Sequence, residues 1–235
     1  MGRERIVKPV NILDTQSFRP ERMAVVDGVK ELIERCRPAQ PITVNDYGCW
    51  RHPLWRDQEN KLQPFLSVDW YLDNAWDEQR HQVNANTMMD AIASEPWRRE
   101  DVIGDHYDIF VVDQDLYALE RPTDEDFIVG IARRSVGTVV STFRLEALSD
   151  PFFILKTIMM HEMCHVFGTP DPRRDDVDRA RGIHCTNRCI MRYPAHTPSD
   201  WERFTEDRFL VGPLCINCTD DLWRHFHGGH KRRPR

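Results

Sequence analysis

Five consecutive residues, His161-Glu162-Met163-Cys164-His165, carry the strongest chemical signal in this chain of 235 residues. Two imidazoles four positions apart lie one turn apart on the same helix face, so both can reach one cation. Glu162 lies roughly 100° around that helix from His161. A carboxylate there can take a proton from a zinc-bound water, whose pKa the metal lowers to about 7, and hand it on to a departing amine. The bland alternative is a buried helix whose histidines satisfy polar neighbours. Two features weigh against it: strand-like runs precede the helix, and Gly168 falls three residues past His165. A glycine there lets the chain turn back, so that a third ligand comes from outside the helix.

A second constellation follows. Of seven cysteines, Cys185, Cys189, Cys215 and Cys218 crowd into the last third of the sequence. In a chain without secretory features such close pairs point to metal binding rather than disulfides, with ordinary buried thiols as the alternative. Cys164 reads as a core thiol on another face of the helix. Cys36 and Cys49 lack partner spacing and read as isolated thiols.

Elements must hold these groups in place. Helical spacing marks residues 21–37, and Pro38 and Pro41 end that run. ITVND (42–46) reads as a short strand, the Trp- and Pro-rich stretch 48–74 as an irregular excursion, and 77–94 as a second helix. Three runs rich in Val, Ile and Phe then read as strands: 108–113, 126–132 and 137–145. Ser149 and Asp150 offer N-caps and Pro151 suits the first helical position, so FFILKTIMMHEMCHVF can run as one helix to the stop at Gly168. This order predicts an α+β fold with a mixed sheet. Residues 1–168 form the expected N-terminal unit. Residues 169–235 form a smaller C-terminal one that a structural metal would staple, ending in a basic tail at 224–235.

Composition narrows the function. The chain is 40% hydrophobic and 30% charged, enough apolar content to exclude a disordered polymer. Its 32 basic and 38 acidic side chains leave a net charge of −6, a poor balance for gripping phosphate backbones. No window approaches the ~20 apolar residues of a membrane span, and the N-terminus MGRERIVKPV lacks a signal peptide's apolar stretch. A cytoplasmic protein with neither nucleic-acid nor membrane partners is the expectation.

GIHCTNRCIM (182–191) followed by LCINC (214–218) resembles the signature of the archaemetzincins, a metzincin family of zinc metallopeptidases. In that signature a third zinc-binding His is followed at once by a Cys, then a second Cys, a Met-turn methionine and CxxC. DQDLY (113–117), FIVGIA (127–132), VVSTFRL (139–145) and RHQVNANTMM (80–89) extend the resemblance, which covers most of residues 80–219. It implies a metzincin-like fold with a twisted mixed sheet. His161, His165 and His184 would hold a catalytic zinc, Glu162 would be the general base, and Met191 would lie beneath the metal. Cys185, Cys189, Cys215 and Cys218 would hold a second, structural zinc. Four thiolates close a tetrahedral site, whereas three histidines leave a position for water. Because His184 and Cys185 are adjacent, the second metal would fix the loop that presents the third catalytic ligand.

The sequence departs from the family pattern after Gly168. The third His normally falls three residues after the glycine, where this chain has Asp171, and His184 comes only after a polar insertion. Carboxylate is an acceptable zinc donor, so Asp171 is a rival to His184; fusion to the cysteine cluster favours His184. Tyr193 is similar in position to the Met-turn tyrosine of astacins, though a packing role is equally open. The implied activity is hydrolysis of a peptide or protein substrate, with its backbone paired along an edge strand for which GTVVSTF is the best candidate. Two rivals remain: a non-catalytic zinc-stabilised binding protein, and a zinc-ribbon nucleic-acid module that the acidic balance disfavours. Oligomeric state is not legible.

Overall fold

The computed structural model describes residues 8–15, 20–38, 40–49, 59–98, 106–118, 127–180, 182–194 and 198–227, apart from the side chains of Trp97 and Pro198. In chain order the elements are β1 (Val10–Asp14), α1 (Pro20–Cys36), β2 (Val44–Gly48), α2 (Val68–Ala75), β3 (Trp76–Asp77), β4 (Gln82–Asn84) and α3 (Ala85–Ala93). They continue with β5 (Tyr107–Val112), β6 (Leu116–Tyr117), β7 (Gly130–Arg133), β8 (Gly137–Ser141) and α4 (Pro151–Val166). β9 (Val177–Asp178), β10 (His184–Cys185), α5 (Pro198–Val211) and α6 (Ile216–Phe226) complete the set.

The main sheet has the order β2-β1-β5-β8-β7. Its first four strands are parallel, and β7 runs antiparallel to β8 at one edge. Strands buried on both faces are rich in apolar residues, and YDIFVV of β5 is buried throughout and apolar except at Asp108. Its side chains alternate between two cores: Tyr107, Ile109 and Val111 join α1 and α4, while Phe110 and Val112 join α2 and α3. The sheet is therefore covered by helices on both faces, giving an α+β fold with a mixed sheet as expected. Trp201, Phe204, Leu222 and Phe226 of α5 and α6 share the first core with α1 and α4. Among the described residues no helix is long and apolar enough to cross a membrane.

α4 begins as its sequence demands: the Asp150 carboxylate accepts the Phe153 N–H at 3.4 Å, with Pro151 next to the cap. Gly168 closes it at φ +78°, a conformation that disfavours any residue with a Cβ.

Several expectations change. β8 is interior, paired to β5 on one side and β7 on the other, so GTVVSTF is not an edge; β2 and β7 are the edges, and β7 is the one beside β8. The 48–74 excursion holds α2, capped by the Ser67 hydroxyl, which accepts the Trp70 N–H. The single helix expected over 77–94 divides: β4 and its turn occupy the first part, and Asn84 caps α3 by accepting from the Asn86 and Thr87 N–H groups. Residues 224–226 of the expected tail belong to α6, where His225 packs on Tyr107 and Phe167. The rest of the tail beyond His227, and Trp50 and Trp55, lie outside the described residues.

Candidate metal centre

Burial fixes the HExxH face of α4. The helix is apolar nearly all round and runs through the main core, so its two histidines project from a stable support. His161 Nε2 and His165 Nε2 approach to 3.1 Å. The Nδ1–H of His161 donates to the Ile190 carbonyl at 2.6 Å, which leaves Nε2 as the lone-pair nitrogen facing inward. The ring of Trp201 packs edge-on against His161 with centroids 5.2 Å apart and limits its rotation.

His184 completes the group from β10. Its ring centroid lies 4.9 Å from that of His165 and 5.4 Å from that of His161, and each of the three side chains offers a nitrogen within 4.8 Å of the others. β10 is placed by antiparallel pairing with β9, His184 opposite Asp178 and Cys185 opposite Val177. Asp171, the rival third ligand, is engaged elsewhere. Hydrogen bonds from Arg173 hold its carboxylate down to about 2, against the opposing effect of its partial burial. It is not among the three groups that converge.

The histidines line a cavity of about 490 Å³ together with Glu162, the edge strand β7 and Tyr193. Glu162 is buried against Gly130: a Cβ on that glycine would stand 3.0 Å from Glu162 Oε1 and 3.1 Å from its Cγ. A glycine inside a strand often marks such a close approach, and FIVGIA carried that signal. Tyr193 packs edge-on against His184 at 5.0 Å.

The four cysteines converge separately, also within 4.8 Å of one another. Cys185 and Cys215 sulfurs are 3.7 Å apart, and Cys189 and Cys218 sulfurs 4.0 Å apart. Hydrogen bonding among the sulfurs lowers the Cys185 thiol to about 6 and Cys215 further, and raises Cys189 and Cys218. Met191 is fully buried in the same turn, and its carbonyl accepts the Cys185 N–H at 2.7 Å. Cys164 is buried with its thiol pushed well up by that burial, and Cys36 is pushed up to about 12 for the same reason; both are core thiols.

Both donor sets fit zinc. Nitrogens at 2.0–2.1 Å from one tetrahedral zinc stand roughly 3.3 Å apart, and sulfurs at 2.3 Å roughly 3.8 Å apart. The observed nitrogen separation of 3.1 Å and sulfur separations of 3.7 and 4.0 Å lie close to those values.

Sequence reasoning missed three contributors. Ile190 acts through its carbonyl, which no side-chain pattern reveals. Trp201 comes from a segment in which no motif singles it out. Arg174, in the polar insertion after Gly168, donates to two of the four sulfurs.

Comparison with protein-family models and with curated proteins finds no match. Among solved structures the chain is similar to archaemetzincin (amzA) from Methanopyrus kandleri, with a TM-score of 0.60 over 94% of this chain and 96% of that one. At 18% identity the likeness shows the fold: this chain has an archaemetzincin-like architecture. Its histidine and cysteine groups could each hold a metal ion.

Proposed function

We propose that this chain is a zinc-dependent metallopeptidase. His161, His165 and His184 hold a catalytic zinc, and Cys185, Cys189, Cys215 and Cys218 hold a structural one. The observation that carries the reading is the convergence of His184, from a distant segment, on the two helix histidines at a cavity that also contains Glu162. Zinc in such a site supplies Lewis acidity and lowers the pKa of water to about 7. Glu162, held between α4 and Gly130, accepts the proton of the attacking water and returns it to the leaving amine. β7 borders the cavity at the edge of the sheet, so its backbone is placed to pair with an extended peptide. The Ile190 carbonyl orients the His161 ring, taking its Nδ1–H and turning Nε2 to the cavity. Met191 packs in the turn below. Substrates are peptides or proteins, encountered in the cytoplasm; the net charge of −6 supports neither nucleic acid nor anionic membrane as a partner.

The test is hydrolysis of a mixed peptide library by the zinc-loaded protein, read by mass spectrometry, alongside Glu162→Gln. The wild type should cleave. The variant should keep both metals and lose at least ~100-fold in turnover, the usual share of a general base. Equal turnover in the two would end the reading.

A further inference from the structure

The polar insertion between Gly168 and His184 contains a side chain whose surroundings are unlike those of a solvated spacer. Arg174 is 12% exposed, and its guanidinium lies between the cysteine cage and two carboxylates. Nη1 donates to Cys218 Sγ at 3.4 Å and to Asp221 Oδ2 at 2.6 Å. Nη2 donates to Cys185 Sγ at 3.4 Å and to Asp176 Oδ2 at 2.6 Å, while Nε donates to Asp176 Oδ1 at 2.8 Å. One planar fork thus touches a sulfur from each half of the cage, Cys185 from β10 and Cys218 from α6.

We propose that Arg174 is the positioning residue and counter-charge of the cysteine cage, which makes the insertion part of the metal site. Four thiolates around a divalent cation carry a net charge of −2, and Asp176 and Asp221 stand behind Arg174. Without it, the buried Asp221, left with Arg224 as its cationic partner, and the partly exposed Asp176 would face an anionic cage, and such like-charge contacts are unfavourable. N–H donors also stabilise thiolate sulfur, and groups of this kind around a metal typically contribute 10- to 100-fold to its affinity. Lysine could supply the charge, but not a rigid fork that meets two sulfurs and two carboxylates at once. Asp176 is itself fixed by the Asn217 side-chain amide at 2.9 Å, and its carbonyl accepts the Thr186 N–H at 3.0 Å, one residue from Cys185. Asp221 accepts the Asp171 N–H at 2.8 Å. The fork therefore also ties the start of the insertion to α6.

The inference concerns the cage and holds whether or not the histidine cavity hydrolyses peptides. It is tested by titrating the full-length metal-free protein with cobalt and following thiolate-to-cobalt charge-transfer absorption, which only the cysteine cage produces. Site-resolved alkylation of Cys185 and Cys218 in the zinc-loaded protein is the second readout. Arg174→Gln should weaken the cage's cobalt affinity by about 10- to 100-fold and speed alkylation of both cysteines, and Arg174→Lys should recover part of each. Cage affinity within about threefold of wild type in Arg174→Gln, or no charge-transfer band in the wild type, would overturn the inference. Should Arg174→Gln not fold, Arg174→Lys decides alone: a clear loss of affinity supports the fork, and wild-type affinity refutes it.

Discussion

Two donor clusters lie side by side in this molecule and differ in what surrounds them. The histidine cluster opens onto a cavity of about 490 Å³, with an acid and an edge strand on its wall. The cysteine cluster is enclosed, and the N–H groups of Arg174 and Asn187 are turned onto its sulfurs. Strand β10 supplies one donor to each, since adjacent strand residues point to opposite sides. Donor number and openness both separate the two: four sulfurs could fill a tetrahedral zinc site, whereas three imidazoles would leave a position open beside the cavity. His184 and Cys185 are neighbours on β10, so what holds the cysteine also holds the histidine.

That dependence predicts an asymmetry. His184→Ala should lose the cavity zinc and all measurable hydrolysis while the cage keeps its metal; Asp171→Ala should keep both metals. Zinc counting by mass spectrometry under native conditions checks this, and loss confined to Asp171→Ala would reverse the ligand assignment. In the other direction, Cys189→Ser should release the cage zinc and weaken the cavity zinc as well, because His184 loses its anchor. Its melting temperature should drop by roughly 10 °C, as loss of several kcal/mol implies for a chain of this size. A cavity zinc as tight as in wild type would show the two sites to be independent.

Gly130→Ala touches only the open site. The added Cβ would press on Glu162 at 3.0 Å, so turnover should fall by about 10-fold with zinc content unchanged. Unaltered turnover would free Glu162 from the placement described for it.

The smallest effect lies away from both clusters. Burial lowers the pKa of His106, but the Asp108 and Glu95 carboxylates, 3.0 and 3.5 Å from its Nε2, outweigh this and raise it to about 9; Arg98 packs against the same carboxylates. A raised pKa in the folded state stabilises the fold fully below about 6.5, and the contribution fades as pH rises through about 9. Denaturant midpoints should therefore fall between pH 7 and 10. His106→Gln should flatten that slope without altering metal content at pH 7, and an unchanged slope would discount the network.

Much of the open site was legible because its signals are local. HExxH, the Asp150-Pro151 start and the Gly168 stop all lie within nineteen consecutive positions (150–168). The third histidine was legible only through its adjacency to Cys185. The strand that borders the cavity was misplaced because β-branched runs mark strands without saying which neighbours they acquire. Burial carries the distinction: β8 is buried at every position, whereas Ile131, Ala132 and Arg133 of β7 are half-exposed. β1 and α2 went unread, and the C-terminal helices were hidden for different reasons. In α5 two large side chains, Trp201 and Phe204, do the packing amid many charges, which blurs helical periodicity; α6 keeps that periodicity, with Cys218, Leu222 and Phe226 on one face, but the cysteine spacing drew the reading to metal binding instead. Arg174 was illegible because its partners come from residues 2 to 47 positions away and only the fold assembles them.

The most direct measurement is a crystal structure of protein purified without chelator, with anomalous diffraction recorded on both sides of the zinc absorption edge. Two zinc peaks are expected, one among His161, His165 and His184 and one among the four cysteines. A cysteine peak alone, with the three imidazoles holding no metal even after zinc is added, would contradict the assignment of a catalytic centre.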